Sequence, residues 1–237
     1  MISSKKTNLI LKIRELIPLK LKIFFLRKKY VSNSIIYRLL GLTSLVEKLN
    51  KCGIDIEYIS YIKIDKIFFT HPIMCEMIKS EKKKIFRFKK KNKYFFKIKE
   101  SIHFNLFEKI NKRKSFNNSQ YVKWQKYLNK RKINKRNNIF IQNRIIKAKN
   151  NFFNIKKRGQ IKNDINKIPL VLAKPILRSR YMFPVKYDNK NYFEVYDGHH
   201  RLAAMKYLKY KNVYVLVCKD VANKTPFGIN LKSINEK

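Results

Sequence analysis

The chain has 237 residues, of which 45% are apolar, enough to build a core in one or two domains, and it carries a formal net charge of +42. That charge predicts attraction to nucleic acid, anionic lipid or acidic partners, weakening steeply with salt. Cys52, Cys75 and Cys218 are scattered without a CxxC pair, which argues against a disulfide framework or a zinc ribbon. There is no uncharged apolar run of about 18 residues to cross a membrane. Lys12, Arg14, Lys20 and Lys22 interrupt the N-terminal stretch as a secretory signal, so a cytoplasmic protein with reduced thiols is expected.

Residues 8–29 alternate apolar and basic side chains, with Leu9, Ile13, Leu16 and Ile17 on one helical face and Pro18 as an interruption. Leu19, Ile23 and Leu26 then resume a similar face. Such a basic amphipathic segment either covers a core or lies on a membrane surface. Residues 33–51 read as one helix stopped by Gly53, and Ile54 to Phe69 as β-rich, with its best alternation from Ile62 to Ile67. His71-Pro72 opens a short helix, Pro72 suiting a first helical position.

From Lys79 to Arg158 the composition shifts to 28 Lys or Arg against the three acids Glu81, Glu100 and Glu108. Ile85–Phe88 and Tyr94–Ile98 read as a hairpin, and Gln120–Leu128 and Ile139–Phe153 as helices. The interleaved aromatics Phe86, Phe88, Tyr94, Tyr121, Trp124 and Tyr127 suit either base stacking on single-stranded nucleic acid or a small core belonging to a basic insertion, and the second role is favoured. Beyond it, Ile168–Ala173 and Tyr181–Tyr187 read as strands, Asp188–Asn191 as a hairpin turn, Val213–Cys218 as a last strand and the chain from Asn223 as a loosely ordered tail.

The most informative stretch is Tyr192 to Met205. Tyr192–Tyr196 is β-branched and aromatic, and Leu202, Met205 and Leu208 recur at helical spacing around Ala203 and Ala204. Between them Asp197-Gly198-His199-His200-Arg201 forms a tight turn into a helix start, where unpaired N–H groups favour an anion. Gly198 lets the backbone approach a ligand, Arg201 offers a planar fork suited to phosphate, and His199 and His200 add donors or acceptors. Asp197 can share a Mg²⁺ ion with nucleotide phosphates, whereas adjacent histidines on a helix do not easily share a transition metal, and no protein-held metal is expected. Asp188 and Glu194 read as solvated.

The run Gly198-His199-His200-Arg201, followed by Leu202-Ala203-Ala204, resembles the Gly-x-x-Arg box and paired alanines of the ParB/sulfiredoxin-like superfamily. Tyr61–Ile67 looks like its opening strand, and Phe152–Gly159 with Pro169–Leu172 like its helix, glycine and following strand. The resemblance implies an α+β fold: a mixed sheet with flanking helices over 56–222, a helical basic extension at 1–55, a basic insertion at about 80–140, and a tail at 223–237. It also implies phosphate or nucleotide binding (CTP, ATP or ADP, with Mg²⁺) at Asp197–Arg201. His199 stands where sulfiredoxins place their catalytic cysteine, which disfavours sulfinic acid reduction. His199-His200 replaces the Glu-Arg of the partition proteins' box, and the chain is too short for their DNA-binding domain.

The Asp-Gly-His-His-Arg wording is similar to ParB-like free-serine kinases, whose upstream glutamate base has no clear counterpart here. His71 stands in that region, with Glu76 slightly later. The expected function is therefore a nucleotide- or phosphate-binding domain associated with nucleic acid through its basic surface. One alternative is a serine-type small-molecule phosphotransferase, with His199, His200 or His71 as acid/base groups and Arg178 or Arg180 adding charge. The other is a peripheral membrane-surface protein using residues 8–29.

Overall fold

The structure, a computed structural model, describes residues 16–28, 34–69, 96–112, 119–130, 138–160, 164–172 and 193–220. Seven helices lie among them: α1 (Leu19–Lys28), α2 (Ser34–Leu39), α3 (Thr43–Cys52), α4 (Ile102–Asn111), α5 (Gln120–Lys130), α6 (Asn138–Arg158) and α7 (His199–Tyr207). Six strands form one sheet: β1 (Ile54–Lys63), β2 (Ile67–Phe69), β3 (Phe96–Lys97), β4 (Leu170–Leu172), β5 (Phe193–Asp197) and β6 (Asn212–Asp220). Their order is β1-β6-β4-β5-β2-β3. The β6–β4 and β5–β2 pairs are parallel; β1–β6, β4–β5 and β2–β3 are antiparallel. The fold is thus mixed α+β, as the sequence suggests.

Period-two alternation sends side chains to the two faces of this sheet. Val213, Val215 and Val217 of β6, with Val171 and Val195, face the core built with α4, α5, α6 and α7. Leu216 and Cys218, with Leu170, Leu172 and Tyr196, face a second core completed by α1, α3 and Ile165 and Ile168. The sheet also curls. A three-residue 3₁₀ turn, Ile64–Lys66, joins β1 to β2 although they stand four places apart in the order. A flat sheet would separate them by about 19 Å, more than the roughly 14 Å that four residues can span.

Several local expectations change in this context. The helix read over 33–51 is two helices, α2 and α3, parted at Gly41 and Leu42, with Gly53 in the left-handed region closing α3 as foreseen. The alternating run Ile62–Ile67 is not one strand, because the 3₁₀ turn divides it. Phe96-Lys97 pairs with Phe68 and Phe69 of β2. The other arm of its expected hairpin, and the strand at 181–187, the turn at 188–191, the helix at 71–72 and the tail, lie outside the described residues.

The basic window is not a satellite with a core of its own. Leu106 and Phe107 of α4 and Tyr121 and Trp124 of α5 belong to the main core beside Val171 and Val213. Ser101 caps α4 by accepting from the Phe104 N–H at 3.2 Å, and Ser119 does the same for Val122 at the start of α5. Among the described residues, Lys123, Lys126, Lys147, Lys149 and Lys156 stand exposed on helices whose other faces are buried. Ile23 and Leu26 of α1 are likewise buried, so α1 covers the second core. Among the described residues no helix is long and apolar enough to cross a membrane.

Candidate functional site

Strand β5 runs out at Asp197, and the chain turns into α7 through Gly198 at φ 94°. A Cβ at residue 198 would lie 2.9 Å from Pro169 Cβ and 3.0 Å from Pro169 Cα. Glycine is needed here for a left-handed turn and for close packing of the β4 approach beneath it. The close approach that the sequence reserves for a ligand is made by Pro169.

Asp197 Oδ2 gathers two cations. The Arg201 guanidinium, one helical turn ahead, donates from Nη2 at 3.1 Å, and the Lys48 ammonium reaches it from α3. Arg201 Nη1 also donates to the Asn166 carbonyl at 3.0 Å. The Asn166 side chain in turn donates to the Gly41 carbonyl at 2.8 Å and accepts from Ser44. The α2–α3 turn, the 164–167 turn and the start of α7 are thereby clamped together. Burial alone would raise the Asp197 carboxyl; Lys48, then Arg201 and the Lys48 hydrogen bond outweigh it and hold the group at about 2. The side chains of Lys48 and Asp197 remain 38% and 35% exposed, so this ionic cluster opens to solvent.

His199 and His200 turn the other way. The His200 Nε2 is 2.9 Å from the Tyr121 hydroxyl of α5. The His199 ring lies 4.9 Å from Phe69 and 5.3 Å, stacked, from His103 of α4. His103 also meets His200 edge-on at 4.7 Å and Trp124 at 5.6 Å. Three of the chain's four histidines therefore meet in an aromatic box beneath the start of α7. Burial, reinforced by the positive charge of Arg144 and by His199, pushes His200 down to about 3, so it is neutral near pH 7.

No family model, curated protein or solved structure matches the chain. Asp197, Gly198, His199, His200 and Arg201 share one turn, but they serve two faces of it: Asp197 and Arg201 toward α3, and the histidines toward α4 and α5. His71, Arg178 and Arg180 lie outside the described residues. Glu194, read as solvated, is 1% exposed, because β5 is an interior strand and Glu194 sits between Leu172 and Phe68. Among the described residues no three His, Cys, Asp or Glu side chains are disposed to hold a metal ion.

Sequence reasoning missed Lys48, Asn166 and His103. Lys48 is 149 residues from Asp197, and nothing local marks it. His103 carried a usable signal: a rare residue in the largely apolar stretch Ile102–Phe107, at helical spacing from Leu106, Phe107 and Ile110 on the face that α4 buries.

Proposed function

We propose that the chain is a phosphate- or nucleotide-binding domain of the ParB/sulfiredoxin-like kind, with its ligand at the start of α7 and nucleic acid drawn to its basic surface. One observation carries this reading. Helix α7 begins at Gly198 without a side-chain cap, and the first intrahelical bond runs from the Leu202 N–H to the Gly198 carbonyl at 2.9 Å. The N–H groups of His200 and Arg201 precede that bond and form the donor set of an anion site. Lys48 and Arg201 stand beside them and Asp197 balances part of their charge, so a phosphate bearing more than one negative charge fits the set.

The kinship is supported by Ala203 and Ala204, both fully buried. They let α7 lie close against the sheet and α4, at the positions where the resemblance places paired alanines. Binding without turnover is the better-supported activity. Of the acid/base groups that the phosphotransferase alternative names, His200 at about 3 is a poor proton acceptor at neutral pH and does not supply the base.

The test is calorimetric titration with CTP, ATP and ADP, each with Mg²⁺, and with inorganic phosphate. Lys48→Gln, on a part-exposed side chain, is expected to weaken binding about 10- to 100-fold, the loss of one charge-assisted contact, with cooperative melting retained. Arg201→Ala is expected to abolish binding. No heat with any of the four ligands, or full affinity in both variants, would overturn the proposal.

A further inference from the structure

Helix α6 is the longest described helix, 21 residues with four lysines, two arginines and no acid. Ile141, Ile145, Ala148 and Phe152 bury one side of it in the main core. On the opposite side Ile139, Ile146 and Phe153 stand 69%, 53% and 46% exposed. They recur every seven residues, so at about 100° per residue they fall in one row within an arc of about 40°. Asn143 and Asn150 follow the first two by four positions and lie along the same row. Lys147, Lys149 and Lys156 flank it.

We propose that this row is a docking seam for an acidic amphipathic helix of a partner protein. A heptad row of apolar residues, with a polar residue at the companion position and charges at the flanks, is the pattern by which one helix seats another. The asparagines set register and the lysines select a partner carrying Glu or Asp beside its own seam. Three other occupants fit less well. Nucleic acid neutralises lysines without covering isoleucine and phenylalanine. A membrane-surface helix presents a broad continuous apolar face of roughly 100° or more; here the row spans less than half of that, and Phe140, 38% exposed to one side of it, lies under the Arg144 guanidinium. A second copy would bring the same acid-free helix, in a chain of charge +42, against itself.

The experiment uses the full chain and a synthetic three-heptad helix with Ile at the seam and Glu on both flanks. Its binding is followed by fluorescence anisotropy beside two controls: vesicles containing one-third phosphatidylserine, and a DNA duplex. The double variant Ile146→Lys/Phe153→Lys alters only exposed side chains and adds positive charge. The seam predicts that this variant loses peptide binding at least tenfold while its DNA binding holds or tightens. Equal peptide affinity in the wild type and the variant, or no peptide binding by the wild type, overturns the proposal. So does vesicle binding that the variant loses while its peptide binding persists, which would assign the row to lipid.

Discussion

At the scale of single residues, Gly198 and His200 make opposite kinds of contribution. Gly198 is fixed by sterics: any larger residue must hold φ near 94° and push a Cβ into Pro169 at 2.9 Å. Gly198→Ala is expected to cost about 2–4 kcal/mol, read as a lower midpoint in urea unfolding, because backbone strain and overpacking add at one site. His200 is fixed by electrostatics. The unfolded chain's His200 protonates as the pH falls below about 6.5, whereas the folded residue stays neutral down to about 3. Its contribution to stability is therefore complete above pH 6.5 and falls as the pH drops through that window, by at most about 1.4 kcal/mol per pH unit. Asp197 works in the same sense but lower down: its contribution is present above about 3.8 and is lost as the pH falls toward 2. His200→Gln should flatten the stability profile between pH 4 and 6.5 relative to the wild type. An unchanged slope in chemical unfolding across that range would show that His200 is not the group responsible. Cys218 is buried, and its thiol is pushed up to about 12 by burial and by Glu57 and Asp55, so it should resist alkylation by iodoacetamide in the native protein and label on unfolding.

At the scale of elements, the start of α7 is held between two helices that the sequence separates widely. The Tyr121–His200 hydrogen bond ties α7 to α5, across 79 residues of chain, with Tyr121 fully buried. Tyr121→Phe keeps the ring packing and removes the hydroxyl, leaving a His200 nitrogen without that partner. A loss of about 1–3 kcal/mol is expected in denaturant unfolding. Such contacts mark the limit of what the sequence made legible. The strand–turn–helix of β5 and α7 was readable because each part of it is local: a β-branched run, an Asp-Gly turn, then helical spacing. Lys48 was not, since pairing across the α3–α7 gap depends on how α3 is seated against β1, which no neighbouring residue encodes. Glu194 was misread although a signal was present. It shares a strand face with Tyr196, a residue type that seeks a core, and period two places both side chains on one side. The lysines of the window around α4 and α5 dominate its composition and suggest a small core of its own, whereas Leu106, Phe107, Ile110, Tyr121 and Trp124 supply buried faces that join it to the main core.

At the scale of the whole molecule, the chain carries a charge of +42 and the described sheet is covered by helices on both faces, with lysines such as Lys123, Lys126, Lys147, Lys149 and Lys156 exposed on helix surfaces. A surface of that kind binds a polyanion by releasing condensed counterions, a process with a measurable signature. If four to six phosphates are neutralised, the logarithm of the association constant for duplex DNA should fall with the logarithm of salt with a slope of about −4 to −5. Raising NaCl from 50 to 200 mM should then cost about 10²–10³-fold in affinity. Tyr121 and Trp124 are buried and offer bases no stacking surface, so on their account single-stranded and duplex probes of equal length should differ mainly by phosphate density. Lys48→Gln removes one positive charge at the α7 site, and it should change the slope by no more than about one unit while weakening nucleotide binding severely. The two measurements therefore separate the two halves of the proposed function. A shift-free gel at low salt, or an affinity indifferent to salt, would remove the nucleic-acid half and leave the phosphate site standing.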